Sequence, residues 1–285
     1  MKEHTKNLIF IHIAVLLFGF SALFARLINQ SALVITAGRC VLSGTFLLIV
    51  VLAARKKLRL DSRWDLFKAV AAGLFFGGHL FGYFQAIQFS TVAIGVITFA
   101  TLPIFTAFLE PLFFDEKLQR QTVYCAVFVF LGILVTVPGG ALEKTSGVVP
   151  GLAAGLAGTF SYAMMSILNR DLSKKYDTFV LVFYEHVTLG LLAMPVLWLI
   201  KPVFSPEDIA WLIVAGIVVA VGGHYLFIRG LKQVKISTAG IIGGLETVYA
   251  IGFASLLLRE IPTVNEIIGG LVVFAVAVYM TTRDK

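Results

Sequence analysis

The sequence predicts an all-α polytopic membrane protein, with ten transmembrane helices as two inverted five-helix repeats. Three observations predict it. The 285 residues are 59% hydrophobic and only 14% charged, with a mean hydropathy of +0.93. A soluble domain is about 45–50% apolar and about 25% charged, so lipid must be the solvent for most of this surface. Apolar runs long enough to span a bilayer recur along the whole chain. Finally, the second half repeats the first: residues 86–118 lie over 230–262 apolar on apolar, with Pro103 on Thr247 and Glu116 on Glu260.

The runs lie near 8–28, 32–53, 66–88, 91–114, 121–140, 148–168, 178–200, 208–228, 236–258 and 264–282. Each is about as long as the ~20 residues that cross ~30 Å of hydrocarbon. They are read as helices because backbone polar groups in lipid must be satisfied within the segment. The first follows Lys2 and Lys6, is too long for a signal-peptide core and lacks a small-residue cleavage site, so it is expected to stay as a helix. Gly73, Gly77, Gly78 and Gly82 crowd the third, and Pro103 should kink the fourth. Glu143–Gly147 is the linker between the halves, giving repeats at 1–143 and 147–285. Gly151, Gly155 and Gly158 mark the sixth run, Pro195 the seventh, Gly216, Gly222 and Gly223 the eighth, and Gly240, Gly243 and Gly244 the ninth. Such small residues let helices approach closely, for packing alone or so that they can rock against one another.

The charges orient the chain. With the N-terminus inside, eighteen of the 23 Lys and Arg fall in inner segments. Arg26, Lys144, Lys201 and Arg259 fall outside, and Arg39 lies within a span. That bias places both termini in the cytoplasm of a multi-pass protein of the plasma membrane, the cell inner membrane of a bacterium. The basic excess is a topology signal facing anionic lipid, not a nucleic-acid surface. Cys40 and Cys125 sit in apolar runs without ligand-spaced partners and read as packing residues.

Ionisable groups inside a span cost roughly 2.5–3.5 kcal/mol each on insertion scales, so each needs a reason. His79 and Tyr83 are four apart and share a helix face, which Phe76 extends. Gly222-Gly223-His224-Tyr225 echoes Gly77-Gly78-His79 in the other half. The two imidazoles either face a central cavity, binding substrate or carrying protons, or bond a backbone carbonyl between helices. Glu246, beside Gly243, Gly244 and near Tyr249, is a contact for a substrate amino group, a proton-coupling site or a structural hydrogen bond. Phe20, Phe76, Tyr83, Phe99, Tyr162, Tyr225 and Tyr249 make a candidate aromatic lining for a substrate; core packing is the alternative. Arg39 and Glu185 take equivalent places if Gly44 is matched to Gly190, so they are candidates for a structural or gating salt bridge across the pseudo-two-fold. Pro103, Glu116 and Glu260 are read as structural or gating positions too. Trp64, Trp198 and Trp211 fall at expected interfaces, as an anchoring belt. No catalytic residue, metal site or cofactor is indicated, and no Walker A or HExxH sequence occurs. Gly19-Phe20-Ser21-Ala22 with a histidine is a weak serine-protease pattern that the repeat argues against.

In order along the chain, Ala37-Gly38-Arg39, Pro103…Phe114-Asp115-Glu116-Lys117-Leu118, Gly147-Val148-Val149-Pro150-Gly151 and Leu245-Glu246…Leu258-Arg259-Glu260 resemble the EamA-type, ten-helix branch of the drug/metabolite transporter superfamily. The resemblance covers nearly the whole chain. The family commonly has Glu-Pro in the ninth span, where this chain has Glu246-Thr247. It implies a secondary carrier or facilitator, not an enzyme, moving a small organic metabolite by alternating access. The site would lie between the inverted halves near the midplane. Amino-acid export is the leading reading. Uptake or exchange of a nucleobase or cationic compound is the alternative within transport, and an intramembrane enzyme or receptor the alternative outside it. The partners expected are the metabolite and membrane lipid, with no nucleic acid, in a monomer or homodimer. The charge bias makes a direct prediction: a reporter active only outside the cytoplasm works when fused at Lys144 and is silent at Lys174, and the reverse pattern refutes the orientation.

Overall fold

The protein is described by a computed structural model covering residues 3–55, 58–114, 118, 120–136, 147–231 and 236–283. Glu116, Lys144 and most of the linker between the halves lie outside the described residues. In order, the helices are α1 (Glu3–Ser21), α2 (Phe24–Leu27), α3 (Ala32–Ala53), α4 (Arg63–Phe89), α5 (Val92–Phe99), α6 (Leu102–Phe113) and α7 (Arg120–Thr136). The second half holds α8 (Val148–Leu172), α9 (Thr178–Ile200), α10 (Pro206–Ile213), α11 (His224–Leu231), α12 (Ile236–Phe253) and α13 (Val264–Arg283). Two π-helical stretches, Val214–Gly223 and Ala254–Leu258, join α10 to α11 and follow α12. No strand occurs among the described residues.

Among the described residues, seven helical segments are long and apolar enough to cross a membrane, and shorter apolar helices cover Val123–Thr136, Ile242–Leu258 and Val264–Val276. The outward surface is itself apolar: Leu112, Trp198 and Leu199 are 76%, 72% and 71% exposed. Water would penalise that surface and acyl chains do not.

Helix starts follow from the sequence. Ser31, Ser62, Thr91 and Asp177 each accept a hydrogen bond from a first-turn backbone N–H, and Ser205 with Asp208 forms a reciprocal capping box. The fourth run breaks at Ala100–Thr101, just before Pro103, which sits in the first turn of α6. Proline lacks the N–H that would meet the Phe99 carbonyl, and hydroxyls hold the carbonyl one residue earlier. Thr101 and Thr159 both donate to the Thr98 carbonyl, at 2.6 and 3.0 Å. By contrast α12 runs unbroken through Glu246-Thr247, since threonine keeps the N–H that a proline would lack.

Glycine decides how the helices meet. A Cβ on Gly82 of α4 would lie 2.7 Å from the Gly158 Cα of α8. Between α3 and α9 the contacts are reciprocal: a Cβ on Gly44 would meet the His186 carbonyl at 2.8 Å, and one on Gly190 the Cys40 carbonyl at 3.1 Å. Gly132 of α7 and Gly269 of α13 likewise approach each other's carbonyls. In the core, Leu23, Phe24, Phe84 and Ile87 are fully buried.

Two sequence expectations change here. Arg39 and Glu185 do not pair. Arg39 donates to Ser21 on α1 at 3.0 Å, while Glu185 accepts from Asn169 on α8 at 2.5 Å. Each of the two side chains is held by a different helix, α1 for Arg39 and α8 for Glu185, and so they stay apart. Trp211 is not part of an outer belt. Trp64 is exposed, but Trp211 packs inward on Phe20 and Phe24 at ring distances of 6.2 and 6.3 Å. It lies three residues after the buried Asp208 cap and so shares its inward face.

Gly82→Val is expected to destabilise the protein by about 1–3 kcal/mol through overpacking of the α4–α8 contact. Unfolding in mixed detergent measures it, with Gly243→Val, where a Cβ meets nothing within 4 Å, as the tolerated control.

Candidate functional site

Where α4 and α8 touch, the Gly158 carbonyl accepts from His79 Nδ1 at 3.3 Å. A carbonyl only accepts, so Nδ1 carries the proton and Nε2 of the neutral ring is an acceptor. The His79 ring lies 4.7 Å from Tyr162, 5.0 Å from Phe99 and 5.8 Å from Tyr83. Phe99 and Tyr162 meet edge to face at 5.2 Å. Phe76, one turn before His79, extends this cluster to His186 at 5.0 Å and His224 at 6.4 Å. The His224 ring in turn meets Phe18 of α1 at 5.3 Å. Rings from α1, α4, α5, α8, α9 and α11 are thus continuous through the middle of the bundle.

Several polar atoms in this region are buried with no hydrogen-bond partner among the described residues: Arg39 Nε, Tyr83 Oη, His186 Nε2 and Trp211 Nε1. Each such atom costs about 1–3 kcal/mol. His186 is held by its other nitrogen, Nδ1, which lies 2.8 Å from Ser43 Oγ. That fixes the imidazole and aims Nε2 away from α3. The helix irregularities gather here as well. The α1–α2 break follows Ser21, the α5–α6 break follows Phe99, and a π-helical stretch ends at His224. Interrupted helices at functional positions are the membrane form of a binding site, because they free backbone and side chains to face a cavity.

The remaining candidates divide. Phe20 packs with Phe24, Trp211 and Phe253 beside Ser21. Glu246 on α12 is half-buried and lies within electrostatic reach of Tyr83 and Tyr162. Tyr249 packs against α1 with Ile11 and Val15. Tyr225 leaves the cluster: it is 53% exposed and its hydroxyl accepts from Arg229 at 2.7 Å. A step of one residue turns a helix by about 100°, so Tyr225 cannot share the face of His224. His186, Phe18 and Trp211 join the site without having been singled out for it, and only their burial within apolar runs could have signalled them. Among the described residues no three His, Cys, Asp or Glu side chains are grouped to hold a metal ion.

Polar networks close both ends of the bundle. At one end Asp65, at the start of α4, accepts from Lys175 at 3.1 Å and from the Tyr176 hydroxyl at 2.9 Å. That bond holds the exposed Lys175 ammonium above the usual lysine range. Lys68 pairs with Asp171, and Arg170 with Glu110 at 2.9 Å, at the same end. At the other end Asp208, at the start of α10, accepts from the Asn29 N–H at 2.8 Å. Glu260 there accepts from the Val92 N–H at 2.5 Å and lies 3.5 Å from Arg26. Asp65 and Asp208 match: each is the third residue after a capping serine, and each binds the loop before α9 or α3 in the opposite half.

Buried rings between closely packed helices, under an apolar outer surface, mark a polytopic membrane protein. The chain belongs to the EamA-like transporter family, whose model matches it twice, over residues 5–137 and 149–282. It is similar to the pseudopaline exporter CntI of Pseudomonas aeruginosa, 25% identical over 273 residues that cover 94% of each chain. It is also similar to solute carrier family 35 member G1 of Mus musculus, 24% identical over 94% of this chain and 76% of that one. An uncharacterized transporter of Archaeoglobus fulgidus is 26% identical over 68% of each. A solved crystal structure matches the fold at a TM-score of 0.65 over 98% of both chains, with 18% identity.

Proposed function

We propose that this protein is a ten-span secondary carrier or facilitator, built as two inverted five-helix halves, that moves a small organic metabolite across the plasma membrane by alternating access. Amino-acid export is the reading favoured within that class. The observation that carries it is the buried ring cluster with unpartnered polar atoms, flanked at both ends by matched polar networks that tie one half to the other. Such a site offers aromatic surface to an apolar portion and isolated hydrogen-bond groups to a polar head. The exporter name of one full-length relative supports outward movement. The charge bias supports cytoplasmic termini, with the Lys175 end inside and the Asp208 end outside.

In this reading His79, Tyr83, Phe99 and Tyr162 line the path, His224 and Phe20 flank it, and Glu246 approaches it from α12. His79→Ala is expected to lower saturable flux in proteoliposomes at least tenfold while leaving expression and melting temperature near wild type. A variant that melts early but carries unchanged flux per folded molecule would show that His79 is structural.

The end networks act as latches. Removing one net hydrogen bond worth about 1 kcal/mol shifts a two-state equilibrium about fivefold. Asp65→Asn is therefore expected to favour opening at its own end, and Asp208→Asn at the other. A single cysteine introduced at Phe99, in a chain with Cys40 and Cys125 replaced, reports this as opposite changes in labelling by an impermeant maleimide from the two sides. Equal changes from both sides would contradict alternating access.

A further inference from the structure

Arg39 is 5% exposed and pairs with no carboxylate among the described residues. Nη1 donates to Ser21 Oγ at 3.0 Å, the guanidinium lies 5.9 Å from the Phe84 ring centroid, and Nε has no acceptor. Glu185, its counterpart in the other half, is bonded to Asn169. The groups near enough to feel the Arg39 charge are Cys40, His79, His186, His224 and Tyr83. None of them is an anion at neutral pH, so the described residues offer the guanidinium hydrogen-bonding neighbours and no counter-charge. A buried cation is retained in a span when something of opposite charge meets it there.

Glu246 is the reverse case. It is a half-buried carboxylate that no hydrogen bond or ion pair engages among the described residues. Two observations place its helix against the elements that hold Arg39. Tyr83 lies within electrostatic reach of both charges, and its hydroxyl has no partner. On α1, a Cβ on Gly19 would lie 3.1 Å from the Glu246 carbonyl oxygen, while Ser21 holds Arg39. Two residues along a helix are about 3 Å of rise. The helix break that follows Ser21 opens α1 at this level.

Resting on the carrier reading above, we propose that Arg39 binds the carboxylate of a zwitterionic substrate whose ammonium group is taken by Glu246, with the Tyr83 hydroxyl between them. Arg39 is then a substrate-binding residue, not a gate. The guanidinium offers a planar pair of donors that matches a carboxylate. The Phe20 and Trp211 rings beside Ser21 receive the apolar side chain of the zwitterion.

The test is flux in proteoliposomes holding the full chain, using the twenty amino acids, their decarboxylated amines, their deaminated acids and a set of nucleobases. In the wild type at least one amino acid should move saturably, and its amine and its deaminated acid should compete at least tenfold more weakly. R39Q should bring the amino acid down to the level of its amine, with R39K keeping part of the preference. E246Q should bring it down to the level of the deaminated acid. If R39Q fails to elute as a monodisperse protein, the wild-type comparison and R39K decide. The proposal is overturned if amines are carried as well as amino acids, or if R39Q keeps the preference. Saturable flux of amines or nucleobases alone overturns the zwitterion site and leaves the carrier standing, whereas no saturable flux of any solute removes both.

Discussion

The contact of Gly82 with Gly158 is the interaction on which the centre of this protein depends. With no Cβ on either side, the backbones of α4 and α8 come within van der Waals distance. That approach brings the Gly158 carbonyl to His79 and sets Tyr162 against the imidazole. His79 is thereby fixed in tautomer and in direction, and the edge-to-face contacts with Phe99 and Tyr162 follow. A larger residue at either glycine would separate the helices and dissolve the ring cluster before it changed any polar group.

The lipid sets the second condition. A helix can be interrupted at membrane depth only if the freed backbone finds another partner. The break before Pro103 meets it through Thr101 and Thr159, whose hydroxyls both reach the Thr98 carbonyl. Thr101 supplies its bond from within the first half, and Thr159 adds a second from the opposite half, so docking reinforces the interruption. The same economy holds at the ends. Asp208 completes the first turn of its own helix and also binds the Asn29 backbone. Glu260 covers the N-terminus of α5 while lying beside Arg26. One carboxylate thus serves helix start and helix packing together, at positions where water is still near enough to keep it charged.

Much of the plan was legible in the chain. Helix positions followed from apolar runs and caps, because in lipid a segment's own hydrogen bonds decide its structure. His79 and Tyr83 share a face because helical spacing alone requires it, and matching Gly44 to Gly190 is reproduced by the reciprocal contacts of α3 and α9. What was not legible came from relations between distant segments. Matching Gly44 to Gly190 makes Arg39 and Glu185 candidates for a pair, yet Ser21 and Asn169, far away in sequence, decide which neighbour each meets. Trp211 looked like an interfacial anchor because its nearness to a helix end is visible in sequence, whereas the face it takes is set by the Asp208 cap. Tyr225 seemed to belong with His224 by adjacency, and adjacency in a helix separates side chains. The π-helical stretches have no sequence mark, since they arise from packing on one side of a helix that is otherwise regular.

The glycine seams have a thermodynamic consequence. A contact made of backbone against backbone freezes no rotamers, so closing it costs little side-chain entropy. Nor does it release ordered water, because both surfaces leave lipid and not an aqueous phase. Its strength is dispersion and shape, an enthalpic quantity with a small heat capacity. Holding α4 on α8 should therefore vary little with temperature, unlike a soluble core of the same area. It should answer chiefly to whatever squeezes or thins the surrounding bilayer.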